Sequence, residues 1–190
     1  RLWLSTGVRA LDHAVESLCS INAQPLVDAT SVRALSLLGR ALTRYATEPL
    51  DLDARLDAQM GAWLAAMGIR RTDYGASHGL GDALGADSGV PHGVTSCVLL
   101  PTVMRWNAAV CAPQLAEVAQ ALGDAKRPAA EAIGIAGDRI IFSIAARDGY
   151  MAIATMSHSS STSPSISRST RALNIAAPPN SVISFDTAAP

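Results

Sequence analysis

The chain has 190 residues, a formal net charge of −1 and a pI near 6.5, with 49% hydrophobic but only 4% aromatic residues. That length accommodates one ordinary domain with a real core. The charge balance excludes the basic stripe of a nucleic-acid binder and the lysine-rich face of a protein that lies on an anionic membrane. The abundance of Ala and Leu favours helix over sheet.

The stretch VRALDHAVESLCS (8–20) places Val8, Leu11, Val15 and Leu18 on one helical stripe, with Ser5 or Thr6 as its expected cap. Pro25 suits a first helical turn, and the next pattern runs from residue 26 to about 45 before Pro49 breaks it. Asp51 is placed to cap the helix LDARLDAQMGAWLAAMG, with Gly68 as its stop. A short helix is expected from Ala76 or Ser77 to about Gly85. Pro91 opens another that runs to about Asn107, kinked or shortened by Pro101. Pro113 starts the last, closed by Gly123. The reading is an all-α unit of six helices over residues 1–125. Residues 126–155 have no settled class, and RIIFSIAARDGYMAIATM (139–156) reads as strand or helix. From 156 to 190 a Ser/Thr-rich, Pro-containing tail is expected to be poorly ordered.

Cys19, Cys97 and Cys111 have no metal-type spacing and read as buried, reduced thiols of a cytoplasmic protein. No apolar run reaches membrane-spanning length. Trp3, Trp63 and Trp106 sit on apolar faces and are expected to pack. The chain opens on Arg1 inside an apolar segment, as a piece of something longer would.

GASHGLGDALGADSGVPHG (75–93) holds His78 and His92, and the glycines and Pro91 forbid one continuous helix through it. The two imidazoles therefore come from different elements and are free to converge. His13 shares a helix face with Arg9, and His78 shares one with Asp82, each pair four residues apart. Three histidines from three helices suit a divalent metal, but spacing alone favours the plainer reading of each as a capping or core residue. Gly75, Gly79 and Gly81 would let the backbone approach a cofactor or substrate, whereas Gly85, Gly89 and Gly93 suit tight turns.

GASHGLGDALGADSGVPHGVTSCVLLPTVMRWN (75–107) resembles the C-terminal domain of the iron-containing alcohol dehydrogenase family, whose signature is H-G-x-x-x-x-L-G, then P-H-G and L-L-P-x-V-M-R-x-N. STGVRALDHAVESLCS (5–20) resembles the family's upstream G-x-D-A-x-x-H-A-x-E helix. The resemblance spans about residues 1–125. It implies the helical C-terminal domain of a dehydroquinate synthase-like fold, with an N-terminal α/β dinucleotide-binding domain outside this sequence. It also implies hydride transfer between NAD(P) and an alcohol or aldehyde, assisted by Fe2+ or Zn2+ as Lewis acid. His13, His78 and His92 are the metal ligands the resemblance implies, with His78 and Gly79 beside the cofactor. Its parent would act on a small alcohol, aldehyde or keto acid and form a homo-oligomer.

Two positions depart from that pattern. Arg9 stands where the family has its ligand aspartate, and a guanidinium cannot ligate a cation. Asp82 stands where many relatives carry a further histidine. Asp82 either replaces the missing carboxylate or faces water. Arg9 either forms a salt bridge with Asp12 or Glu16 or binds a substrate carboxylate in a metal-independent reaction, as the maleylacetate reductase branch implies. Arg9 and Asp82 are thus the catalytic candidates. A helical remnant without activity is the reading from another class.

Overall fold

The structure is a computed structural model, and it describes residues 2–132. Six α-helices follow one another among the described residues: α1 (Leu2–Leu18), α2 (Pro25–Thr47), α3 (Leu52–Ala65), α4 (Ala76–Ser88), α5 (His92–Asn107) and α6 (Ala112–Ala121). One 3-10 turn, Ala66–Gly68, ends the α3 segment. The all-helical expectation holds over these residues. The strand-or-helix segment at 139–156 and the tail at 156–190 lie outside the described residues.

The α1 helix is the hub. Its stripe of Leu4, Val8, Leu11, Val15 and Leu18 is buried against Leu35, Leu38 and Leu42 of α2 and Leu100 and Met104 of α5. Those α2 leucines recur at the helical offsets of three and four that the sequence pattern marks. The α3 helix closes on α2, and α4 lies along α5. Among the described residues no helix is long and apolar enough to cross a membrane.

Helix ends follow local chemistry. Asp51 caps α3 as expected, its carboxylate accepting the Ala54 amide at 2.9 Å. Gly89 (φ +67°) and Gly123 (φ +80°) take the left-handed conformation just after α4 and α6, where a side chain would be strained. Three expectations need correction. Ser5 and Thr6 are not caps. They lie inside α1, and their hydroxyls donate to carbonyls one turn back, at Leu2 and Trp3. The helix starts earlier because Leu2 and Trp3 extend the apolar run. The α4 helix continues to Ser88, since Gly85 costs only about 1 kcal/mol inside a helix. Pro101 does not shorten α5 but sits buried within it.

Two glycines read as turn formers are packing positions instead. A Cβ on Gly93, in the first turn of α5, would come within 2.6 Å of the Ser5 carbonyl group, so α5 touches the α1 backbone there. A Cβ on Gly85 would meet the His92 ring at 2.9 Å. The tryptophans divide. Trp3 stacks on Tyr45 with ring centroids 5.7 Å apart, and Arg55 lies over both rings. Trp63 and Trp106 are 59% and 66% exposed, so the packing role assigned to them is not what these residues do within the described chain. All three cysteines are free and buried. Burial pushes the Cys97 thiol up to about 12, so it stays protonated at ordinary pH.

Candidate active site

The site lies where α1 meets the N-terminal halves of α4 and α5, and it has a buried floor and an exposed rim. The floor starts from Glu16, buried on α1. Its Oε1 accepts the Ser77 amide at 2.8 Å, and its Oε2 accepts the amides of Gly75 at 3.0 Å and His78 at 3.3 Å. These are amides at the start of α4, which no intrahelical carbonyl can satisfy. A carboxylate from another helix therefore supplies the cap that Gly75, having no side chain, cannot. The positive end of the α4 dipole favours the negative charge placed there. Gly75 is required for this approach, since a Cβ would stand 2.5 Å from Glu16 Oε1.

The same Oε2 lies 2.6 Å from Nδ1 of His78. Asp12, one turn earlier on α1 and fully buried, accepts the Ser77 hydroxyl at 2.8 Å and lies 3.6 Å from the same His78 nitrogen. Burial, reinforced by the neighbouring Glu16 charge, raises the Asp12 carboxyl above its ordinary value, while His78 and the Ser96 and Ser77 hydroxyls oppose the shift. The other nitrogen of His78, Nε2, faces His13, at 3.0 Å from its Nδ1. Tyr74 stacks on His78 at 4.5 Å, nearly parallel. Burial, then His78 and Arg9, lower His13 to about 3, so its imidazole is neutral at ordinary pH.

The rim starts from Arg9, one turn before His13. Its guanidinium donates to Ser96 on α5 at 3.2 Å and to Asp82 on α4 at 3.0 Å. Asp82 Oδ1 lies 3.5 Å from Nδ1 of His92. Asp82 and His92 side chains are 59% and 56% exposed, against 18% for Arg9. The expectation of an Arg9 salt bridge to Asp12 or Glu16 is corrected here. Side chains on a helix lean toward its N-terminus, so the guanidinium reaches away from both acids, which α4 already occupies.

Among the residues named from the sequence, His13 and His78 are in contact, and Arg9, Asp82 and His92 form a second group. Gly79 lies in the first turns of α4, next to His78. His92 does not join the other two histidines as a compact ligand set. Among the described residues, the one group of three side chains with ligand atoms within 4.8 Å of one another is Asp12, Glu16 and His78. Glu16 and Asp12 are candidate site residues that the sequence reading named only as salt-bridge partners of Arg9. The family's G-x-D-A-x-x-H-A-x-E pattern, which ends on Glu16, was the signal that pointed at one of them.

The chain belongs to the iron-containing alcohol dehydrogenase family: residues 3–140 match the model of the Fe-containing alcohol dehydrogenase family, C-terminal. The fold and the histidine-bearing helices agree with that assignment. The chain is 31% identical over 135 residues to a probable alcohol dehydrogenase, EutG, of Escherichia coli, covering 71% of this chain and 34% of that protein. It is 32% identical over 149 residues to a maleylacetate reductase of Burkholderia cepacia, covering 78% of this chain and 40% of that protein. The crystal structure of maleylacetate reductase from a Rhizobium strain superposes with a TM-score of 0.67 at 28% identity, over 72% of this chain and 38% of that one. The chain thus spans a third to two-fifths of the relatives it matches, which are oxidoreductases.

The iron that the family description carries can be tested against these side chains. The paired nitrogens of His13 and His78, with a carboxylate behind His78, are the kind of arrangement that orients a metal ligand. The positions where the chain departs from the family pattern do not fit a divalent ion. Arg9 puts a fixed positive charge on the face where the family pattern has a carboxylate. Asp82 is committed to that charge. Glu16 has both oxygens taken by N–H donors.

Proposed function

We propose that this chain forms the substrate-binding helical part of an oxidoreductase that passes a hydride between a nicotinamide dinucleotide and an alcohol–carbonyl pair, and that its Arg9 guanidinium supplies the positive charge at the reacting group. The dinucleotide, held by a part of the protein outside this chain, supplies the hydride. Arg9 then has the work. A guanidinium offers two parallel N–H donors to a carboxylate or an oxyanion and stays charged at every working pH. In the free site Nη2 donates to Asp82 and Nη1 to Ser96, and a substrate carboxylate displaces Asp82 to reach the guanidinium. Hydride addition leaves a carbonyl oxygen negative, and that oxygen needs a proton. His92, on the exposed rim beside Asp82, is the imidazole placed to hold one at Nδ1. His13, neutral beside Arg9, adds no competing positive charge.

The carrying observation is the position of Arg9: mostly buried, one turn from His13, and bridging α4 and α5 through Asp82 and Ser96. The substrate class that follows is a keto acid, or the matching hydroxy acid. Full-length protein is assayed with NADH and NADPH against keto acids and against neutral aldehydes of the same size. The reading expects a preference for the acids that Arg9→Gln abolishes. Equal rates on neutral aldehydes, unchanged in Arg9→Gln, sink it. Metal-assisted transfer by His13, His78 and His92 is the competing reading, favoured by the His13–His78 nitrogen pair, and removal of metal from the enzyme separates the two.

A further inference from the structure

Glu16 makes four contacts with nitrogen on its two oxygens: three backbone amides at the start of α4 and Nδ1 of His78. Backbone amides only donate. A carboxylate loaded with three of them has no proton to give, so the proton in the 2.6 Å contact sits on His78 Nδ1. A neutral imidazole with its proton on Nδ1 has a bare lone pair on Nε2. That lone pair faces the His13 ring, 3.0 Å from Nδ1 and 3.5 Å from Nε2, so the donor in this contact is a His13 N–H. One buried carboxylate thereby sets the tautomer of His78 and the sense of its contact with His13.

We propose that Glu16 is a positioning residue: it fixes His78 as the Nδ1–H tautomer, aims His78 Nε2 at His13, and so holds the His13 ring at the edge of the Arg9 pocket. It acts through His78 and touches no reacting atom. Two features of the packing support the assignment. Tyr74 stacked on His78 blocks rotation of the ring out of plane. The Ser77–Asp12 hydrogen bond fixes the first turn of α4, which carries His78. The ring is thus clamped on its face, at its backbone and at one nitrogen, and Glu16 makes the shorter of the two carboxylate approaches to that nitrogen, 2.6 Å against 3.6 Å for Asp12.

The kinetic part of this inference rests on the function proposed above, and the tautomer part does not. The test uses full-length protein with 15N-labelled histidine. In the wild type, the His78 spectrum should show a protonated Nδ1 and a bare Nε2. Glu16→Ala removes the acceptor opposite Nδ1, so the Nδ1–H preference should be lost and a share of His78 should carry its proton on Nε2. With an accepted substrate, kcat should fall at least about tenfold in Glu16→Ala, with KM changed by less than about twofold, as is usual when an orienting partner is lost. A wild-type His78 protonated on Nε2 overturns the proposal, and needs no variant to fold. A folded Glu16→Ala protein that keeps His78 wholly as the Nδ1–H tautomer overturns it too. A lost Nδ1–H preference with unchanged kcat overturns the role in turnover. If no hydride transfer is found but the tautomer follows Glu16, the function reading fails while the clamp stands.

Discussion

The floor of this site is built from α1 and α4, the rim from α1, α4 and α5, and the two obey different rules. On the floor, Asp12, Glu16, Ser77 and His78 are all at most 5% exposed. Donors there meet acceptors across α1 and α4. On the rim, Asp82 and His92 stand more than half in water, and the charges of Arg9 and Asp82 are paired with each other. The departures from the family pattern, Arg9 and Asp82, lie on the rim. Glu16 and His78, which agree with the pattern, lie on the floor. Buried polar networks tolerate little change, because an orphaned partner is costly in a low-dielectric interior. An exposed pair can be exchanged at small cost in stability. The difference teaches that the floor holds the geometry, while the rim is where this chain departs from the family pattern.

That contrast breaks if floor substitutions prove cheap. Glu16→Ala should have the largest effect: it strips the start of α4 and leaves three amides and an imidazole N–H without their acceptor. We expect a loss of about 3–5 kcal/mol in denaturant unfolding. A loss below about 1 kcal/mol would mean that α4 is capped by water. Arg9→Ala probes the rim by activity instead. Losing one charge-assisted contact of about 1.5–3 kcal/mol predicts a fall in kcat/KM on keto acids of roughly ten- to 150-fold, with unfolding nearly unchanged. Gly93→Ala sharpens the architectural side. Its Cβ would meet the Ser5 backbone, so α5 must shift, at about 1–3 kcal/mol, and thermal unfolding measures it.

Asp82→Asn should be milder. It removes the internal competitor for Arg9, so KM for an acid substrate should fall a few-fold while stability moves by less than about 1 kcal/mol. A rise in KM would instead make Asp82 part of the substrate contact. The pH dependence of stability is expected to be the smallest effect. His13 titrates near 3 in the fold against 6.5 in the unfolded chain, so the unfolded state binds more protons between those values. Its contribution is complete above pH 6.5 and is lost as pH falls toward 3. Asp12 is shifted upward, so its contribution has the opposite sign and weakens as pH rises through the acid range. The two partly cancel. Urea titrations of the wild type and His13→Gln, from pH 7 to 4, should show a shallower acid loss in the variant.

Much of the fold is legible in the sequence because its cues are local. The leucine offsets of α1 and α2, Asp51 before α3, and Gly123 after α6 each declare an element within a few residues. The start of α1 is not legible that way, since Ser5 and Thr6 satisfy the same rule as caps and as interior residues bonded one turn back. Trp63 and Trp106 mislead because an apolar position on a helix does not state which neighbour covers it. The site divides similarly. His13, His78 and Arg9 are found through pattern and helical spacing. The grip of Glu16 on α4 spans 59 to 62 residues of sequence and closes through backbone amides, which no side-chain motif encodes. Asp82 on Arg9 is a contact across 73 residues, legible only once α1 and α4 are in place.

The central claim is that Arg9 takes the position and the electrostatic work that a divalent ion would otherwise have. The most direct test strips full-length protein with a strong chelator, verifies metal content by elemental analysis, and measures NAD(P)H-dependent reduction of keto acids. The account predicts activity that survives metal removal and is not raised by added Fe2+ or Zn2+. Activity lost with the metal and restored by one equivalent of Fe2+ or Zn2+ would contradict it, and would return His13, His78 and His92 to the role of ligands.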